Sequence, residues 1–204
     1  MNNSVKVSIF KPLLIILISL STLIVSFQTV NADSSMNHIS NDKTWTNRLA
    51  KNGYVFQIVN NGNKFKNVLM KNNPNKVPVK YYSSKYVSYL SKKNFGFKIK
   101  NIWEYKNKVL YEIISKNSKY KGWVNSENLY NKNLNNKALS QFSKKEVDFT
   151  NNMLSIKKLD KELNKLSGRN KKIAKISLKE AKKYKLDQSE KNFPALFFAN
   201  NPIT

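Results

Sequence analysis

The sequence predicts an α+β protein in which a small all-β barrel is followed by an α-helical hairpin, after a cleaved signal peptide. Three observations predict it. Between residues 77 and 130 apolar side chains recur with a period of two in short runs separated by polar turns, the pattern of several short strands. After residue 130 the apolar spacing lengthens to that of an amphipathic helix. Before residue 33 a basic stretch leads into an apolar one, the layout of an export signal.

In the export signal, Lys6 and Lys11 precede Leu13-Leu14-Ile15-Ile16-Leu17-Ile18, and the apolar character continues to Val25. That core is short against the roughly 20 apolar residues that cross a bilayer, so cleavage is expected rather than anchoring. Val30-Asn31-Ala32 puts short side chains where a signal peptidase reads. The signal peptide is therefore 1–32, cut before Asp33, and the mature chain is expected to be secreted, extracellular or associated with the cell wall. It contains no cysteine, so neither a disulfide nor a cysteine-linked lipid anchor can form. Residues 33–43 are polar and aperiodic, a flexible leader. The only histidine, His38, lies there with no cysteine or acidic cluster nearby, so no metal is expected.

Residues 44–76 are expected to form a β-hairpin extension or a degenerate module. "YVFQIV" and "KFKNVLM" flank Asn61-Gly62, and both turn positions tolerate a positive φ. "KNNPNKVP" follows as a connector with two prolines.

The barrel is placed at 77–130. Val77, Val79 and Tyr81 alternate as an opening strand. Phe95, Phe97, Ile99, Trp103 and Tyr105 all fall on odd positions, which sets them on one face interrupted only by Asn101. Val109, Tyr111 and Ile113 return on the next strand, and Gly122-Trp123-Val124 forms a short one before "NSENLY".

The basic α-helical segment is placed at 131–204. Ser143 and Glu146 have the spacing of a capping box. Phe149, Met153, Ile156, Leu159, Leu163 and Leu166 then form an apolar stripe, with Gly168 as its C-cap. A second helix is expected over 170–185. Phe193, Leu196, Phe197 and Phe198 form a terminal apolar patch that docks on the hairpin or the barrel.

The formal net charge is +25, from 37 Lys+Arg against 12 Asp+Glu, and the excess runs through the whole mature chain. Such a field attracts polyanions. Arginine occurs only at Arg48 and Arg169, and no base-reading motif appears, so specific nucleic-acid recognition is not expected. Catalysis has little support: there is no thiol, and the one histidine sits in the leader. The carboxylates at Glu146/Asp148 and Asp160/Glu162 lie two apart, a spacing that does not share a helix face. A non-enzymatic binding protein without a cofactor is expected.

Two features nominate a binding surface. Tyr81, Tyr82, Tyr86 and Tyr89 are interleaved with Ser and Lys in "YYSSKYVSYLS"; they offer hydroxyls and flat faces to sugars, with cations nearby for phosphate. Glycine and tryptophan are scarce, at 5 and 3 copies, yet Gly122 and Trp123 stand side by side. A strand glycine admits a close backbone or ligand, and the indole supplies a broad apolar face.

"VPVKYY", "FKIKNIWEYKNKVLYEI" and "YKGWVNSENLY" together resemble the GW modules of Gram-positive, lactobacillus-like surface proteins, a branch of the bacterial Src-homology-3-like barrels. The resemblance covers 77–130. It implies non-covalent attachment to the cell envelope through lipoteichoic acid or peptidoglycan. Gly122 and Trp123 are then chiefly a marker of the fold. The aromatic and basic residues around them complete the expected ligand surface: Trp103, Tyr105, Tyr120 and Trp123 with Lys98, Lys100 and Lys121, beside the four tyrosines. The alternative is a secreted cationic membrane-active protein of bacteriocin or toxin type, acting on an anionic membrane surface through the stripes Lys157, Lys161, Lys165 and Lys172, Lys175, Lys179.

Overall fold

The computed structural model describes residues 43–62, 64–105 and 108–198. The expected signal peptide, the expected leader with His38 and the tip of the turn at Asn107 lie outside the described residues. Two large clusters of apolar residues and a third, smaller one organise the described residues. The elements in order are α1 (Lys43–Ala50), β1 (Phe56–Ile58), α2 (Ser84–Lys92), β2 (Phe97–Tyr105), β3 (Lys108–Ser115), β4 (Lys121–Asn125), β5 (Leu129–Asn131), α3 (Lys137–Thr150), α4 (Ile156–Lys165) and α5 (Gly168–Asp187). The strands form one antiparallel sheet in the order β4-β3-β2-β1-β5, with a single 3-10 turn, Ser126–Asn128, between β4 and β5. The protein is α+β, as the periodicities predicted.

The expected hairpin around Asn61-Gly62 does not form. Lys64, Phe65 and Asn67 take positive φ of 49, 62 and 56°, a left-handed path that removes "KFKNV" from extended geometry. β1 pairs instead with β2, Phe56 opposite Phe97, and with β5, Ile58 opposite Leu129. The sheet therefore opens at Phe56 rather than at Val77. Residues 77–82 contribute only a bridge between Tyr81 and Met70. The tyrosine-rich stretch that follows is helical: Ser83 caps α2 by accepting from Tyr86 N at 3.3 Å. Val87 and Leu90, three apart, bury its inner face.

A β-bulge in β2 corrects a second expectation. Ile99 opposes Ile113 and Asn101 opposes Glu112, so Lys100 is the extra residue. The alternation changes phase there. Phe97, Ile99 and Ile102 pack inward, whereas Trp103 joins Trp123, Leu110 and Met70 in a separate cluster with Val79 and Tyr81. The odd-numbered positions thus do not share one face.

The helical segment is three helices rather than a hairpin. Asn136 accepts from the Ala138 and Leu139 amides and starts α3 earlier than expected. Ser143 and Glu146 are therefore buried in mid-helix and form no capping box. Asn152, at φ 62°, breaks the stripe, leaves Met153 74% exposed, and lets Ser155 cap α4. Gly168, at φ +51°, opens α5 instead of closing a helix.

The terminal apolar patch docks on both parts. Phe193, Phe197 and Phe198 join Trp45, Leu49, Phe56, Ile58, Ile99 and Tyr111 in the sheet's core, while Leu196 packs with Leu139, Phe142, Leu163 and Leu178 of the helices. Each of these phenylalanines stabilises the fold by about 2 kcal/mol through burial. Edge-on contacts link them, Phe56 to Phe198 at 5.2 Å and Tyr111 to Phe198 at 5.4 Å. Their backbone is bonded too. Asn131 Nδ2 donates to Ala195 O at 2.7 Å, Ser143 Oγ to Leu196 O at 3.1 Å, and Ala195 N to Glu180 at 3.0 Å. Glu180 also pairs with Arg48 at 2.9 Å, and Arg48 donates to Phe193 O at 3.1 Å. Segment 193–198 is a wedge between sheet and helices.

Candidate functional site

A run of aromatic rings is assembled from three elements. The α2 helix carries Tyr86, one turn before Leu90 and half-buried against the core, and the more exposed Tyr89, and Tyr82 precedes its cap. Tyr82 and Tyr86 stack at 4.7 Å with planes 19° apart. Tyr86 meets Tyr120 at 6.3 Å, Tyr120 meets Phe95 at 4.6 Å, and Phe95 meets Tyr89 at 6.1 Å. Tyr120 is the buried pivot, held where the β3–β4 turn closes: Ser115 N donates to Tyr120 O at 2.8 Å, and Tyr120 N to Ser115 Oγ at 3.0 Å. The other rings are half-buried, and Tyr89 is 45% exposed.

Lysines stand over this ladder. Lys71 Nζ lies 5.2 Å from the centre of the Tyr82 ring and Lys119 Nζ 5.5 Å from that of Tyr120, within reach of cation–π attraction. Burial raises the Tyr86 pKa, and Tyr82, Tyr120 and Tyr89 add to the effect. The hydroxyl therefore stays protonated at neutral pH and can donate a hydrogen bond.

The expected ligand residues divide between the two faces of the sheet. Tyr82, Tyr86, Tyr89 and Tyr120 come together in the ladder. Tyr81, Trp103 and Trp123 do not, because they pack with Met70 and Leu110 in the separate cluster; burial raises the Tyr81 pKa there. The Tyr105 side chain lies outside the described residues. Lys98 stands over Tyr54 at 5.7 Å, away from the ladder. Lys100 and Lys121 line a groove of about 370 Å³ with Lys71, Asn101, Glu112 and Trp123. Glu112 is occupied there: Asn101 Nδ2 donates to it and Lys100 Nζ lies at 3.8 Å.

Gly122 explains the joint between the two surfaces. Met70 and Trp123 exchange backbone bonds of 2.9 and 3.1 Å. A Cβ on Gly122 would lie 2.6 Å from Met70 O and 2.8 Å from Leu69 Cδ1. Only glycine lets the Leu69-Met70 backbone lie against β4, and that contact carries Lys71 to the end of the ladder. Sequence reasoning missed Lys71, Lys119 and Phe95. Lys71 sits in what reads as a connector, and Phe95 reads as core because it continues the odd-numbered alternation.

A larger groove, about 750 Å³, lies between α3 and α4 beside Phe142 and Leu166. Its Lys165 is paired with Glu162 at 2.7 Å, and no aromatic ladder adjoins it. Among the described residues no helix is long and apolar enough to cross a membrane, and no three His, Cys, Asp or Glu side chains cluster for a metal. No family model matches this chain, and no curated protein or solved structure matches it.

Proposed function

We propose that the protein is a secreted, non-covalent cell-wall-binding protein that recognises an anionic wall polymer, lipoteichoic acid or peptidoglycan, and that it acts by binding rather than catalysis. The observation that carries this reading is the aromatic ladder of Tyr82, Tyr86, Tyr120, Phe95 and Tyr89 with Lys71 and Lys119 over its rings. Aromatic faces and hydroxyls contact sugar or polyol units, and ammonium groups meet phosphate or carboxylate. The net charge of +25 draws such a polymer to the surface. The strand order, with one helical turn between β4 and β5, supports a small Src-homology-3-like barrel as the scaffold. That barrel runs from β1 to β5 in this reading, not from residue 77.

A membrane-active role for the helices has less support, because the apolar sides of α3, α4 and α5 pack against one another and Leu196.

The test is sedimentation of the mature chain with Gram-positive walls across a salt series. Affinity is expected to fall linearly on a log–log plot, as for ligands held by many ammonium–phosphate contacts. Undiminished binding to walls stripped of teichoic acid would remove the polyanion from the reading. Tyr86→Ala is expected to weaken wall binding several-fold with an unchanged salt slope.

A further inference from the structure

We infer that the groove of Lys71, Lys100 and Lys121 binds a phosphodiester group, and that it forms one continuous site with the aromatic ladder for a polyol phosphate strand. This rests on the wall-binding reading and names the ligand chemistry within it. Three observations carry it.

The first is charge. Among the described residues the only carboxylate lining the groove, Glu112, is already engaged by Asn101 and Lys100, and neither Lys71 nor Lys121 makes an ion pair. Lys71 and Lys121 thus line the groove with no carboxylate paired to them among the described residues. The second is construction. The β2 bulge makes Lys100 the extra residue, and Lys121 stands one residue before the Gly122 contact that fixes Leu69-Met70 and hence Lys71. Three lysines separated in sequence are brought together by a bulge, a bridge and a glycine. The third is continuity. Lys71 lines the groove and also stands over Tyr82, the end of the ladder.

The ladder also selects what lies between phosphates. Tyr82 is stacked by Tyr86 and carries Lys71 over its ring, so its faces are not open to a planar nucleobase. The hydroxyls of Tyr82, Tyr86 and Tyr89 make no hydrogen bond among the described residues. They remain to bond a hydroxyl-rich unit, which favours a polyol or sugar phosphate over nucleic acid.

The test uses the full mature chain, isotopically labelled, titrated with inorganic phosphate and with poly(glycerol phosphate). Chemical shifts are expected to change first at Lys71, Asn101, Lys121 and the Trp123 indole. Lys121→Gln is expected to weaken poly(glycerol phosphate) binding several-fold and lower its log–log salt slope by about one. Lys161→Gln, which removes a charge from exposed α4 surface, is expected to leave the affinity within about twofold, as a distant screened charge should.

Shifts spread evenly over surface lysines, or equal losses in the two variants, would overturn the inference. Equal affinity for polyglutamate would overturn the phosphate assignment. Binding of phosphatidylglycerol vesicles with the same dependence on Lys121 would overturn the polymer in favour of a lipid headgroup. Sedimentation with walls keeps the two ideas separate. Wall binding without localised shifts sinks only the groove, and localised shifts without wall binding sink only the wall.

Discussion

A single methyl group at Gly122 would lie 2.6 Å from Met70 O, a backbone atom held in a two-bond bridge to Trp123. Gly122→Ala is therefore expected to cost about 1–3 kcal/mol, the range for overpacking, read as a lower urea midpoint. A second residue gives a pH signature. Glu146 is buried between α3 and α5, where Ser177 Oγ donates to it at 2.7 Å. Burial pushes its pKa well up and Glu180 adds to this, while the Ser177 bond opposes both. The folded state thus keeps a proton that the unfolded chain, titrating near 4.5, releases. Stability from this group is full below about 4.5 and declines as pH rises through the folded pKa. Glu146→Gln is expected to melt with the parent near pH 4 and above it at pH 7; a difference in Tm that does not change with pH would reject this. At this scale the sequence was partly legible. Asn101 stood out as the polar break in an apolar alternation, and it marks the residue after the bulge. Nothing local says that the break resets the phase rather than interrupting it, because a bulge is defined by the partner strand.

Between elements, long-range polar ties decide what the local signals leave open. Arg48 of α1 reaches Glu180 of α5 and the Phe193 carbonyl. Arg48→Ala is expected to destabilise by about 3–5 kcal/mol, since it strands the buried Glu180 carboxylate. Thermal melts measure this, and limited proteolysis should find segment 193–198 cut sooner. The strands β2, β3 and β4 were legible because apolar residues alternate on either side of the bulge and along β3, and because β4 is a short buried run between polar turns. The helices were legible in kind but not in number. A stripe from Phe149 to Leu166 keeps helical spacing across Asn152, yet a left-handed residue there ends α3. The tyrosine segment was misleading for a related reason. Its four rings read as a ligand patch of a barrel placed at 77–130, whereas Val87 and Leu90 set a helical face and the Ser83 cap starts it.

For the whole molecule, the described residues belong to one compact unit, and the expected division between barrel and helices does not match the packing. A fragment of residues 77–130 lacks β1, Trp45, Leu49 and the phenylalanine wedge. It is expected to show no cooperative melt and poor amide dispersion, whereas 43–198 should melt in one transition. The aromatic ladder was legible in composition but not in membership, because Lys71, Lys119 and Phe95 join it only through tertiary contacts. Arg48 and Phe193 touch although 145 residues separate them. A chain emerging from a ribosome therefore holds β1 without its final partners until the wedge has followed, and closure waits on the last of the core to arrive.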